Sequence, residues 1–329
     1  MDAAPLRPFC FLTLSGLIIC VMMTKQSNNC IVLLGPTASG KTELGAQLAA
    51  HLGGEIISAD SRQVYRGLDI GAGKDLDAYV VDGQPIPYHL INVADLTTEY
   101  SVFHYQQDFY PVFEDLLQRR RLPVIVGGTG LYLNAVLCGY RMLPTPENTA
   151  LRRELAGLDD EQLRTRLATA RPQLHNTTDT QTRDRLVRAI EIAEYARAHP
   201  PPPCPDVRAH ILGIVYSPEA LRKRIAARLK TRLDHGLLEE VASLHEQGCT
   251  WERLELLGLE YRFVAQYLQG SIKNKNDLFQ NLNTAIAQFA KRQRTWFRGM
   301  ERKGFVIHWL PDNHLSNALD ALQDTVFIP

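Results

Sequence analysis

Apolar positions along the chain fall into two alternating patterns. Short unbroken runs such as "CIVLLG" (30–35), "EIISAD" (55–60), "YHLINVAD" (88–95), "LPVIVGG" (122–128), "HILGIVYS" (210–217) and "GFVIHWL" (304–310) are rich in aliphatic residues. Runs of this kind mark strands buried on both faces of a parallel sheet. Between them, "ELGAQLAAHL" (43–52), "SVFHYQQDFYPVFEDLLQRR" (101–120), the long stretch 218–248 and "QNLNTAIAQFAKRQRTWFRGM" (280–300) carry helical spacing. The alternation predicts an α/β fold, a doubly wound and mostly parallel sheet.

From about Pro144 the pattern changes to helices rich in Arg and Leu, "ALRRELAGL", "EQLRTRLATA" and "RDRLVRAIEIAEYARA", which end at "HPPPPCP". These helices predict an inserted domain over residues 144–207, splitting the α/β core into residues 25–143 and 208–329. Residues 1–24 contain the apolar run "FCFLTLSGLIICVMM" after a single basic residue, Arg7. The run is too short to span a bilayer comfortably. With Met22 and Met23 offering later starts, residues 1–24 are expected to be a dispensable leader.

Charge changes this picture little in total but more in distribution. The chain has 36 Lys and Arg against 36 Asp and Glu, whereas residues 141–303 hold 27 against 20. A basic half is compatible with a polyanionic partner and equally with an uneven solvated surface. The six cysteines form no C-x-x-C pair and no Cys/His spacing suited to zinc, so a reduced, cytoplasmic compartment and no membrane are expected.

Chemistry concentrates at strand ends. Residues 35–42, "GPTASGKT", match G-x-x-x-x-G-K-[ST] with a strand before and a helix after, the arrangement of ATP-binding and other nucleotide-binding loops. Such a loop turns its N–H groups onto phosphates, Lys41 reaches phosphate oxygens, and the Thr42 hydroxyl can ligate Mg²⁺. Asp60 and Ser61 follow the second strand, where a carboxylate can serve as general base or simply cap a helix. "VIVGGTGLY" places Thr129 after another strand. "KNKND" fits the guanine-reading N-K-x-D pattern but lacks the buried strand before it. In "AKRQRTWFRGMERK", basic residues surround Trp296 and Phe297, which reads either as a nucleic-acid surface or as an amphipathic helix with a solvated basic face.

"GPTASGKT", "SADSRQVYRGLDIG", "VGGTGLY", "RDRLVRAIE" and "KRQRTWFR", in this order, resemble the tRNA dimethylallyltransferases, also called tRNA isopentenyltransferases, over residues 30–310. The chain departs from the family pattern at "GAGKD", where a form closer to G-T-A-K-P is usual, and at "LGLEYR", where G-Y-[KR]-E is frequent. The resemblance implies a P-loop NTPase-like fold that hydrolyses no nucleotide. It implies transfer of a dimethylallyl group from dimethylallyl diphosphate to the N6 amine of adenosine 37, in the anticodon loop of tRNA, with cleavage of a C–O bond. It further implies catalytic roles for Asp60, Lys41 and Thr37, and diphosphate contacts from Gly35, Pro36, Thr37, Ala38, Ser39, Gly40, Lys41, Thr42 and Arg224. Mg²⁺ would sit at Thr42. Asp60, Ser61, Arg62, Gln63, Thr129, Arg152, Asp184, Arg185 and Arg188 would hold tRNA, and a monomer is expected. Two rivals use the same loop: a small-molecule kinase consuming ATP, and a non-catalytic RNA-binding protein.

Overall fold

In the computed structural model, residues 27–170, 182–200, 203–323, 325 and 327 are described; the expected leader, residues 1–24, lies outside them. The strands are β1 (Cys30–Leu34), β2 (Gly54–Ala59), β3 (Val80–Val81), β4 (Gln84–Pro85), β5 (Tyr88–His89), β6 (Leu122–Gly127), β7 (Ala209–Ile214) and β8 (Ile307–Leu310). The helices are α1 (Lys41–Leu52), α2 (Val102–Gln118), α3 (Gly130–Leu137), α4 (Thr149–Ala156), α5 (Asp160–Ala170), α6 (Arg183–Ala198), α7 (Pro218–Asp234), α8 (Leu237–Glu246), α9 (Trp251–Leu256), α10 (Leu259–Leu268), α11 (Lys275–Arg302) and α12 (Leu315–Leu322). Six strands form one parallel sheet in the order β5-β2-β6-β1-β7-β8, while β3 and β4 make a separate hairpin.

Both faces of this sheet are covered, which explains the unbroken apolar runs. Cys30, Val32 and Leu34 of β1 pack with Ile57, Ile125, Phe109, Tyr132 and Phe297 on one face. Ile31 and Leu33 pack with Ile56, Val124, Leu44 and Leu48 on the other. Alternate residues of one strand therefore enter different cores, as the two-residue period of a strand requires.

Register decides where the loops emerge. Gly127 of β6 pairs with Leu34 of β1 on one side and with Ala59 of β2 on the other. The chain thus leaves three neighbouring strands at one level, and residues 35, 60 and 128 begin three adjacent loops at the carboxyl edge, where open α/β sheets bind ligands.

The inserted helices α4, α5 and α6 have their own core of Leu151, Leu155, Leu163, Leu167, Leu186 and Ile190. Truncating one of these leucines to alanine would cost about 2–5 kcal/mol. A further core joins Val64, Tyr65 and Leu68 of the second loop to α8, α9 and α10.

Two expectations change. Of "YHLINVAD" only Tyr88–His89 is strand, because Leu90 and Asn92 take left-handed φ values of 61° and 58° and end the extended run. The helical stretch 218–248 divides into α7 and α8 at Gly236, whose φ is 102°.

Candidate active site

The three loops enclose a cavity of about 1070 Å³. Its lining includes residues 37–43, residues 60–63, Thr129, Arg224, Arg228, Arg232, Arg292 and Gln293. Of the residues singled out in the sequence, it brings together Thr37, Ala38, Ser39, Gly40, Lys41, Thr42, Asp60, Ser61, Arg62, Gln63, Thr129 and Arg224. Gly35 and Pro36 stand behind the lining, where Pro36 O accepts a 3.4 Å bond from Lys41 Nζ. Arg152, Asp184, Arg185 and Arg188 are not in the lining and lie on the inserted helices.

The glycine loop is held in a tight form. Ala38 (φ 61°) and Gly40 (φ 83°) are both left-handed, and α1 begins at Lys41, so the helix N-terminus faces the loop. Two side chains pin the kink. Gln293 Oε1 accepts from Thr37 N at 2.8 Å, and Arg224 Nε donates to Ala38 O at 2.8 Å while its guanidinium lies over the Tyr216 ring. Burial lowers the Lys41 ammonium to about 8, an effect that Asp60 opposes and Arg228 reinforces.

The second loop faces the first. Asp60 Oδ1 accepts from Arg62 N at 2.9 Å, and the following residues form turns rather than a helix, so Asp60 caps no helix. Ser61 N donates to Thr129 Oγ1 at 3.0 Å, tying the second loop to the third. Gln63 is buried between Ser58 Oγ and Gly73 O.

Several residues that the sequence reading passed over support this arrangement. The Glu240 carboxylate accepts from three successive amides, Asp69 N, Ile70 N and Gly71 N, and from Tyr261 Oη. Lys74, almost fully buried, donates to Tyr65 O, Asp69 Oδ1 and Asn92 Oδ1. Arg228 and Arg232 stand four and eight residues beyond Arg224, a helical stripe legible in "LRKRIAARLKTR". Gln293 also left a signal, as a polar residue within the apolar stripe of α11 formed by Ile286, Ala290, Phe297 and Met300.

On the inserted helices, the buried carboxylate of Glu191 takes bonds from Arg152 at 2.8 and 3.0 Å, from Arg188 at 3.0 Å and from Asn148 N at 2.9 Å. Burial works to raise its pKa, but these donors outweigh it and hold the group at about 2. Within "KRQRTWFR" the two readings divide. Phe297 is fully buried, whereas Trp296 is 37% exposed beside the exposed Lys291, Arg292 and Arg298. Asn274, from the guanine-like pattern, caps α11 by accepting from Asp277 N.

A parallel sheet whose first strand runs into a glycine loop and helix N-terminus, with an arginine stripe lining the same cavity, defines a P-loop-like fold. The family model described as "IPP transferase" matches residues 63–300 and that described as "Isopentenyl transferase" matches residues 28–86. The chain belongs to the IPP transferase family. It is 57% identical to tRNA dimethylallyltransferase 1 of Geotalea uraniireducens, over 87% of this chain and 93% of the relative. The tRNA isopentenylpyrophosphate transferase of Bacillus halodurans superposes with a TM-score of 0.61 at 28% identity, covering 87% of this chain and 90% of that one. A eukaryotic dimethylallyltransferase solved acting on tRNA shares the fold, with a TM-score of 0.70 at 22% identity over 92% of this chain and 81% of that one. None of these relatives is a small-molecule kinase or a non-catalytic RNA-binding protein.

Proposed function

We propose that this protein transfers the dimethylallyl group of dimethylallyl diphosphate to the N6 amine of adenosine 37 in the anticodon loop of tRNA, releasing diphosphate. The observation that carries the reading is the pairing of Leu34, Gly127 and Ala59 in register, which brings the phosphate loop and Asp60 into the lining of one cavity. A cavity of about 1070 Å³ has room for a donor and a target base together, since single small-ligand sites occupy roughly 300–1,000 Å³.

In this reading the N6 lone pair forms the new bond to C1 of the donor. The C1–O bond breaks with its electrons passing to the diphosphate, and the N6 proton passes to Asp60. An exocyclic amine is a weak nucleophile, so a positioned base is what the acceptor side requires. Lys41, the loop amides and Arg224 meet the charge that grows on the leaving diphosphate. Thr37 belongs to the same loop and lines the cavity.

The oxygen donors suit Mg²⁺, because the Thr42 hydroxyl lines the same cavity as the loop that would present diphosphate oxygens. Bound there, Mg²⁺ would neutralise diphosphate charge as a Lewis acid.

Ser61, Arg62, Gln63 and Thr129 line the cavity and would meet the target base, which must leave its stack at a cost of a few kcal/mol. Arg152, Asp184, Arg185 and Arg188 would be the tRNA contacts of the inserted helices. A monomer is part of this reading, and no helix among the described residues is long and apolar enough to cross a membrane. The tRNA substrate supports a cytoplasmic location.

Incubation with tRNA, Mg²⁺ and either dimethylallyl diphosphate or ATP, followed by nucleoside mass analysis, tests the reading. Dimethylallyl-adenosine formed only with the allylic donor is expected. Phosphate transfer from ATP, or tRNA binding without any product, would overturn it.

A further inference from the structure

Gln293 joins two of the three loops by their backbones. Its carboxamide oxygen accepts from Thr37 N at 2.8 Å, and its nitrogen donates to Gly128 O at 2.9 Å. The side chain is 7% exposed, and both bonds reach across the fold, to residues 256 and 165 positions away in the chain. A carboxamide is the group that can accept on one end and donate on the other; an apolar residue does neither, and a carboxylate does only the first.

The two contacts have unequal neighbours. On one side Thr37 precedes the left-handed Ala38, so its bond helps hold the donor loop in a conformation that L-residues adopt rarely. On the other, Gly128 precedes Thr129, whose N donates to Ala59 O and whose hydroxyl accepts from Ser61 N, next to Asp60. Residue 128 has no room for a side chain, because a Cβ there would overlap Gln293 Nε2. The series runs from the phosphate loop through Gln293 and residues 128–129 to the loop that carries Asp60.

We infer that Gln293 is a positioning residue that sets the separation between the loop gripping the allylic diphosphate and the loop bearing the proton acceptor. It touches no reacting atom in this scheme. The inference rests on the dimethylallyl-transfer reading. Its consequence is a split between binding and chemistry. Each substrate is held by groups other than Gln293, whereas reaction needs both held at the right spacing, and a misplacement on the order of 1 Å costs about 100-fold in rate.

The test is single-turnover transfer by the full-length protein, with donor and tRNA dissociation constants and melting measured on the same samples. Gln293→Leu is expected to slow the saturated step about 10- to 100-fold while each dissociation constant stays within about threefold. Gln293→Glu adds a readout independent of how well the first variant folds. When protonated, the introduced carboxyl can again donate to Gly128 O, so its rate relative to wild type is expected to rise as pH falls. A Gln293→Leu rate within threefold of wild type, a loss that vanishes at saturating donor, or a Gln293→Glu ratio flat with pH would each overturn the inference. Wild-type protein that forms no dimethylallyl-adenosine would instead refute the reading of function beneath it.

Discussion

Arg232 occupies the space in which a side chain on residue 73 would stand. A Cβ on Gly73 would overlap the Arg232 guanidinium, and Gly73 has a left-handed φ of 61°. Arg232 is held there by Glu260 Oε1 at 3.0 Å and by Gly71 O at 3.3 Å. Beside it, Tyr261 Oη accepts from Ala72 N and donates to Glu240. The two places where the chain departs from the family pattern, "GAGKD" and "LGLEYR", are therefore the two sides of one contact. Gly73→Ala is expected to destabilise by about 1–2 kcal/mol from its backbone conformation alone, and further by displacing Arg232. The Arg228 guanidinium also stands in that space, so combining Gly73→Ala with Arg232→Met should recover only the Arg232 share, leaving a coupling above about 0.5 kcal/mol in a double-mutant cycle read by denaturant melts. Strict additivity would show that the two positions are independent.

Lys41 gives the site a pH dependence. Burial brings its ammonium down to about 8 in the free protein, from an ordinary value of 10.5. Between those values the unfolded chain holds the proton and the folded one does not, so this group's contribution to stability rises with pH across that window. Donor binding runs the other way, because the diphosphate needs the charged form. Affinity for dimethylallyl diphosphate is expected to weaken by up to about tenfold per pH unit above pH 8, with proton uptake on binding at pH 8.5 by calorimetry. Lys41→Arg should flatten the profile, and a flat wild-type profile would contradict the assignment.

Asp60→Asn keeps an oxygen to accept from Arg62 N, so the turn should survive. Turnover is expected to fall about 10²- to 10⁴-fold, with donor affinity and melting little changed. Lys41→Ala should differ by weakening donor binding as well as turnover. A near wild-type rate for folded Asp60→Asn would remove this carboxylate from the chemistry.

The sheet and the phosphate loop were legible because both depend on local sequence. Continuous apolar runs follow from burial on two faces, and the glycine loop carries its chemistry in eight consecutive residues. The end of β5 was not legible, since the left-handed turn at Asn92 is held by Lys74 Nζ from a distant segment. Helices α3, α9, α10 and α12, of 8, 6, 10 and 8 residues, were not among the helices expected. Gln293 and Glu240 lay in plain view, but their roles exist only through backbone groups that the fold brings to them. Arg152 and Arg188 look alike in sequence as basic tRNA contacts, and the shared Glu191 emerges only in three dimensions.

That carboxylate makes the inserted helices acid-sensitive. Glu191 is held at about 2, so its stabilising contribution is present above its ordinary value of 4.5 and is lost as pH falls through about 2. Glu191→Ala should cost about 1.5–3 kcal/mol, the range for a charged hydrogen bond, visible as an earlier melt. An unchanged melt would show that the network adds no stability.

Salt dependence reads RNA contact by the arginines of the same helices. Arg185→Ala is expected to make tRNA binding shallower by roughly 0.7–0.9 of a log–log unit in salt, with donor affinity unchanged. Arg188→Ala should alter melting too, because it breaks the bond to Glu191. An unaltered slope in Arg185→Ala would mean that this arginine meets no phosphate.

In the proposed reaction the phosphate loop serves cleavage of a C–O bond. Dimethylallyl diphosphate labelled with heavy oxygen at the atom joining C1 to phosphorus tests this, by mass analysis of both products after one turnover on tRNA. All of the label is expected in the released diphosphate and none in the modified adenosine. Label retained on the dimethylallyl fragment, or a phosphorylated nucleoside, would mean that a P–O bond is broken and would contradict it.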